Sequence, residues 1–134
     1  MVDQEDEFTS VFSMFSKWLE ENKLIPPMLQ NTSSQEKTFT YVTCGDWDLN
    51  TMLPKQCNTS QIELPSHFQH WINVKESFAR SIKGNYPRTL SQMLNELGLV
   101  FEGRQHSGID DVHNIVRVVQ ALAKDRHFIF ENTS

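Results

Sequence analysis

Apolar side chains return every three or four positions in four stretches of the chain, which is the spacing of one face of an α-helix. The first stretch covers residues 8–19, and the acidic residues before it favour the start of a helix. The second and third begin near Val74 and Leu90. The fourth is predicted to run from Gly108 to about Lys124. The pattern therefore predicts four amphipathic helices.

The fourth helix is predicted to turn one apolar side toward the protein body. Asn114 and Arg117 fall on the other side, together with Asp110. Asp111 shares the face of Ile115 and is therefore expected to point toward the body of the protein. The apolar side itself is formed by Val112, Ile115, Val116, Val119 and Leu122.

Three segments have the composition of strands. Residues 38–43 are rich in β-branched and aromatic side chains and precede a glycine turn. Trp71–Asn73 and residues 127–130 are shorter segments of the same kind. A short helix is predicted over residues 47–53, where Pro54 would end it. Helices that alternate with strands indicate an α/β architecture.

Capping residues mark the predicted helix starts. Thr89 with Gln92, and Ser107 with Asp110, have the spacing of a capping box, in which two side chains satisfy backbone N–H groups. Asp46 is predicted to cap the short helix in the same way. The carboxylates of Asp46 and Asp110 then need no role beyond stabilising a helix.

Length, charge and cysteine content narrow the class of protein. A chain of 134 residues fits a single domain over 1–134. Its net charge of −5 argues against a general nucleic-acid coat protein, but not against an enzyme that gathers carboxylates around divalent cations. No segment is apolar enough to span a membrane and the N-terminus is unlike a signal peptide, so a soluble, intracellular protein of cytoplasm or nucleus is expected. Cys44 and Cys57 are expected to be reduced thiols.

A histidine and two carboxylates meet at the start of the fourth helix. His106 lies just before the helix, and Asp111 lies in its first turn. Asp111 needs a cation or hydrogen-bond donors, because burying an unpaired carboxylate is costly. Asp48 is a second candidate ligand, since it follows the carboxyl end of a predicted strand, where ligands gather in α/β sheets. The alternative is that all these acids only stabilise helix starts.

Three segments together closely resemble the Eri-type branch of the DEDDh 3′–5′ exonucleases. They are residues 39–57, which contain VTCGDWDL, the strand Trp71–Asn73, and residues 103–115, which contain GRQHSGIDD. A histidine followed five residues later by aspartate is the defining mark of that branch. The resemblance implies an RNase H-like exonuclease fold and two divalent cations, Mg²⁺ or Mn²⁺. It also implies stepwise hydrolysis of RNA from a free 3′ end to nucleoside 5′-monophosphates.

The resemblance also implies roles for individual residues. Asp48 matches the second acidic motif of the family and Asp111 the third, so both are expected to hold metal ions. His106 matches the general base, and an imidazole can take a proton from water at neutral pH. Arg104, beside His106, is a candidate for contact with RNA phosphates. Trp18, Trp47 and Trp71, which could stack bases, are instead predicted to lie in the core.

The first acidic motif of that family, an Asp-x-Glu in a strand, has no accepted counterpart in the chain. Asp3-Gln4-Glu5 has the spacing but lies in an acidic, non-strand stretch. The resemblance therefore implies the C-terminal two-thirds of the domain, without its first three strands. A fragment, an alternative product, an incomplete gene model or a degenerate paralogue would all fit.

Three functions follow from these patterns and stay open at this point. The first is a 3′–5′ exoribonuclease, with doubtful turnover by this chain alone because two of four metal-binding acids are absent. The second is a catalytically defective remnant that binds RNA or an unknown protein partner. The third is an α/β interaction module whose acids only cap helices.

Overall fold

The computed structural model of the chain describes residues 7–25 and 39–132. Within these ranges a π-helical turn, Asp48–Met52, runs directly into a helix, and a single 3₁₀ turn, Ser66–Phe68, precedes the second strand. The helices are α1 (Glu7–Glu21), α2 (Leu53–Thr59), α3 (Val74–Ile82), α4 (Leu90–Glu96) and α5 (Gly108–Lys124), and the strands are β1 (Tyr41–Thr43) and β2 (Trp71–Asn73).

The two strands form a small parallel sheet. Tyr41 lies opposite Trp71, and Thr43 lies opposite Asn73. Parallel strands need a crossover connection, which α2 supplies here. The first acidic segment, residues 44–49, directly follows β1. The register places the end of β1 beside the start of α3.

Two apolar clusters hold the layers together. The larger one lies between α3, α4 and α5, and the smaller one joins α1 and α2 to β1 and the 3₁₀ turn. Phe12 of α1 stacks on Phe68 of that turn at a ring separation of 5.7 Å. The buried residues are Val74, Phe78, Met93, Leu94, Val118 and Leu122 in the larger cluster, and Leu53, Cys57 and Phe68 in the smaller one.

Most predicted elements are confirmed, although the first strand is shorter than expected. The starts predicted near Val74 and Leu90 and the span of α5 agree with the structure. Thr89 caps α4, because its hydroxyl oxygen accepts a hydrogen bond from the Gln92 N–H at 3.0 Å. The return bond of the capping box goes to the neighbouring residue instead, where the Arg88 N–H donates to Gln92 Oε1 at 2.9 Å.

The predicted buried side of α5 is partly wrong. Asn114, assigned to the other side, is fully buried, while Val112 is 59% exposed and Val116 is also exposed. The fully buried line of α5 consists of Asn114, Val118 and Leu122 at helical spacing, and the last two pack against α3 and α4. An asparagine is stable there because the structure satisfies its amide completely, as shown below.

Two further predictions are wrong. Residues 127–130 form no strand, since the sheet of the described residues has only β1 and β2. Phe128 and Phe130 instead pack their rings against the larger cluster. Pro54 does not end a helix. It lies in the first turn of α2, a position that proline tolerates.

The tryptophans divide between core and surface. Trp71 is buried as predicted, but Trp18 is 51% and Trp47 63% exposed, so a core position is wrong for both. α1 packs through Phe8, Phe12 and the buried Leu19, which leaves Trp18 on its outer side. The Asp3-Gln4-Glu5 segment lies outside the described residues. Within residues 7–25 and 39–132, no helix is long and apolar enough to cross a membrane.

Candidate active site

The first acidic segment follows β1 and is held against β2. Gly45 has a φ of 109°, which a glycine adopts without strain. Asp46 does not cap the short helix as predicted. Its Oδ1 instead accepts a hydrogen bond from the Trp71 indole N–H at 2.9 Å. Asp46 and Asp48 are both exposed, but the Asp46 carboxylate is engaged by Trp71, whereas Asp48 stands at the start of the π-helical turn.

A buried amide joins this segment to the helix that follows β2. Asn73 is fully buried, and its Oδ1 accepts hydrogen bonds from the Gly45 N–H and the Lys75 N–H, both at 3.0 Å. Its Nδ2 donates to the Tyr86 hydroxyl at 3.0 Å. One side chain therefore caps α3 and fixes the turn before Asp48. The sequence pattern identified Asn73 only as part of a strand.

The second acidic segment surrounds the start of α5. Asp111, half-buried in the first turn, accepts a hydrogen bond from the His106 backbone N–H on Oδ1 at 3.2 Å. His106 itself has a left-handed backbone with a φ of 67°. Ser107 stands at the N-cap position without a side-chain hydrogen bond, so the predicted capping box is wrong. The Asp110 carboxylate instead accepts a hydrogen bond from the Arg104 N–H at 3.0 Å.

Asp48 and Asp111 both act electrostatically on Cys44. Burial raises the pKa of the Cys44 thiol above its ordinary value of 9.0. The nearby charge of Lys75 lowers that pKa, and the carboxylates of Asp111 and Asp48 raise it. Both acids are therefore within electrostatic range of one sulfur atom, although 63 positions separate them in the sequence (111 − 48). The backbone of His106 joins the group through Asp111.

The donor chemistry suits a hard cation but is incomplete for two. Carboxylate oxygens are the ligands that Mg²⁺ and Mn²⁺ prefer, and Mg²⁺ is commonly held by one or two of them. Asp48 and Asp111 fit that need. Across residues 7–25 and 39–132, however, no group of three His, Cys, Asp or Glu side chains converges as a metal site.

Comparison with known proteins decides the family. The RNase T family model, which describes exonucleases, matches residues 1–119. The chain belongs to this exonuclease family. Over the whole chain it is 36% identical to ERI1 exoribonuclease 3 of Mus musculus and covers 37% of that protein. It is also 34% identical to the 3′–5′ exonuclease Snipper of Drosophila melanogaster, with 84% of this chain and 41% of that protein aligned.

Solved structures identify the fold of this chain. The nuclease domain of 3′hExo, a DEDDh family member bound to rAMP, matches with a TM-score of 0.77 and 27% identity. The match covers 97% of this chain and 62% of the other. Cell-death related nuclease 4 has the same fold at a TM-score of 0.78. The predicted RNase H-like exonuclease fold is confirmed, and the DEDDh family depends in general on divalent metal ions.

The chain spans little more than a third of the length of the ERI1 exoribonuclease 3 proteins it matches. The function of this chain is therefore argued from the residues that it contains. Of the predicted site residues, Asp111 binds the backbone of His106, and Asp48 lies within electrostatic range of the same cysteine, Cys44, as Asp111. Arg104 is exposed on the same loop as His106, and its backbone is bound by Asp110.

Proposed function

We propose that this chain carries one half of a 3′–5′ exoribonuclease active site, which acts on RNA with a free 3′ end and releases nucleoside 5′-monophosphates. The observation that supports it most is the hydrogen bond from the His106 N–H to Asp111, together with the electrostatic effect of both Asp111 and Asp48 on Cys44. The family and the names of the relatives support the same reaction.

In this proposal Asp48 and Asp111 hold Mg²⁺ or Mn²⁺. A bound pair of such ions stabilises the charge on the attacking and leaving oxygens at phosphorus. One oxygen of Asp111 is engaged by the His106 N–H, which leaves its second oxygen for an ion. The Asp111 carboxylate thus binds an ion and also holds the backbone of His106, the base.

His106 acts as the general base that takes a proton from the attacking water. The exposed position of its ring gives the imidazole access to RNA and solvent. Arg104, two residues earlier and also exposed, contacts a phosphate and so holds the strand near the base. Two further carboxylates are needed for a complete two-metal site, and we propose that an Asp-x-Glu strand supplies them.

The test compares this chain alone with a fusion that joins a family Asp-x-Glu strand segment ahead of it, called here the completed domain. A 5′-labelled RNA is incubated with each protein in Mg²⁺ or Mn²⁺, and the products are resolved by length. The completed domain is expected to shorten the RNA from its 3′ end, and this chain alone to act weakly or not at all.

Variants of the completed domain then test the individual roles. His106→Ala is expected to lower kcat by about 10²- to 10⁴-fold, the usual contribution of a general base. Asp111→Asn should abolish turnover while still accepting the His106 N–H. Asp125→Asn, an exposed acid at the end of α5, is the matched control and should leave kcat unchanged. Equal activity of Asp111→Asn and the parent would contradict the proposal.

A second candidate is a catalytically defective protein that binds RNA. It is favoured by the lack of a third converging acid among residues 7–25 and 39–132. In that case RNA binding persists in EDTA, divalent ions leave the melting temperature unchanged, and the completed domain yields no mononucleotides. Robust metal-dependent turnover by the completed domain would exclude it.

A further inference from the structure

The loop that leads into α5 has an unusual backbone that needs support. Gly103 and His106 both have left-handed φ values, 95° and 67° respectively. Glycine adopts such values freely, whereas histidine does so only where its surroundings hold it there. The contacts of residues 102–107 therefore decide where the His106 ring can lie.

Asp110 makes the first of these contacts. Its Oδ2 accepts a hydrogen bond from the Arg104 N–H at 3.0 Å. The same carboxylate lies against Gly103, so that a Cβ added there would stand 2.6 Å from Asp110 Cγ. A side chain at position 103 would push the carboxylate away from the Arg104 N–H. Gly103 and Asp110 thus fit together as a pair.

Asn114, one turn further along α5, makes the second contact. It accepts from the Glu102 N–H at 3.1 Å and donates to the Glu102 carbonyl at 2.8 Å, much as a neighbouring strand would. Its amide also donates to the Asp110 carbonyl at 2.7 Å and accepts from Arg117 Nη1 at 2.8 Å. Two donors and two acceptor positions are all that an asparagine side chain has. The buried amide is therefore fully used: two of its hydrogen bonds hold Glu102, and the other two anchor it within α5.

We propose that Asp110 and Asn114 are positioning residues that clamp residues 102–107 to α5 and so set His106 relative to Asp111. Asp110 fixes the middle of the loop, and Asn114 fixes its beginning. The significance of the clamp for catalysis rests on the proposed function, but the clamp itself does not. It explains why the chain has a second carboxylate beside Asp111 and a polar residue on the buried side of α5.

A merely structural role for the same residues would make a different prediction. If Asp110 and Asn114 only stabilised the helix, their loss would weaken α5 and the loop together. A clamp predicts that the loop loosens selectively. Val118, fully buried one turn beyond Asn114, provides the matched control, because Val118→Ala weakens the packing of α5 but removes no side-chain hydrogen bond to the loop.

The test is amide hydrogen exchange by NMR on the whole 134-residue chain, without metal or RNA. Asp110→Ala is expected to speed exchange at Arg104 and His106 by up to about tenfold relative to the amides of α5, the effect of losing one hydrogen bond. The three-bond coupling between the His106 N–H and Hα should change as its φ leaves the left-handed region. Asp110→Asn keeps an acceptor oxygen and should restore both readings.

Asn114→Ala should loosen Glu102 and the loop, and Gly103→Ala provides a surface variant in case the buried change prevents folding. Val118→Ala should raise exchange in the loop and in α5 in parallel. Unchanged exchange at Arg104 and His106 in Asp110→Ala and Gly103→Ala would overturn the clamp. The clamp would also be overturned if Asn114→Ala and Val118→Ala changed the amide exchange rates in the same way.

Turnover by the completed domain separates this proposal from the proposed function. If the clamp serves catalysis, Asp110→Ala lowers kcat with little change in KM, and Asp110→Asn recovers it. If the parent completed domain is inactive, the proposed function fails while the exchange data still decide the clamp. If the parent is active and exchange in the loop is unaffected by the variants, the clamp fails and the function stands.

Discussion

Single buried amides organise both halves of the candidate site. Asn73 ties the turn before Asp48 to the start of α3, and Asn114 ties the loop before His106 to α5. Periodicity could not identify either residue, because a polar residue in an amphipathic pattern is assigned outward. The acids and the histidine are candidates from the sequence alone, but the amide that holds the turn before Asp48 lies 28 positions away from Gly45, its partner in that turn.

Replacement of Asn73 should destabilise the protein more than replacement of Tyr86, its half-exposed hydrogen-bond partner. Asn73→Ala removes two backbone partners and the cap of α3, so the free energy of unfolding should fall by about 1–3 kcal/mol. Tyr86→Phe removes only one hydrogen bond of Asn73, from a tyrosine that is half exposed, and should cost about 1 kcal/mol. Urea unfolding of both variants checks the order.

The pair also allows a test of coupling. If the Asn73–Tyr86 bond stabilises the turn, the double variant should lose less than the sum of the single losses. Losses that add completely, or a Tyr86→Phe variant less stable than Asn73→Ala, would contradict the importance assigned to Asn73.

At the level of elements, helices were predicted better than the sheet. The spacing of apolar residues fixed α3, α4 and α5, because a helix largely follows from its own sequence. Residues 127–130 failed as a strand because strand composition describes side chains that suit a pleated surface, and a strand also needs a partner edge. Phe128 and Phe130 found an apolar surface to cover instead, in the larger cluster.

The corrected orientation of α5 makes a direct prediction. Leu122→Ala removes a fully buried side chain and should lower the free energy of unfolding by about 2–5 kcal/mol. Val112→Ala changes a side chain that is mostly in solvent, and its effect should lie within about 0.5 kcal/mol. Denaturant titrations of the two variants measure the difference. Equal losses would mean that α5 presents the side that the sequence pattern predicted.

At the level of the whole molecule, the family resemblance supplied what local patterns could not. Their spacing alone is equally consistent with Asp48 and Asp111 only stabilising helix starts. Their shared electrostatic effect on Cys44 depends on the parallel pairing of β1 with β2 and on the packing of α5 against α3. Such long-range placement follows from the fold, which the resemblance implied and the solved structures confirm.

The same packing makes the protein sensitive to alkali. Burial raises the pKa of the Tyr41 phenol above its ordinary value of 10.0, and it raises the pKa of the Cys44 and Cys57 thiols above 9.0. Each group therefore keeps its proton more tightly in the folded state. Between the unfolded and folded pKa values the unfolded chain binds fewer protons, so stability falls as pH rises. Below the unfolded values the contribution is fully present.

The free energy of unfolding should therefore be insensitive to these groups below about pH 8 and decline from about pH 9 upward. Urea unfolding followed by circular dichroism between neutral and alkaline pH measures this decline. Tyr41→Phe removes the phenol but keeps a ring that can stack on Phe68, at a separation of 4.8 Å in the parent. It also removes a hydrogen bond to His67. The variant should thus start less stable and lose less between pH 9 and higher pH, whereas an identical slope would show that the phenol is not protected by burial.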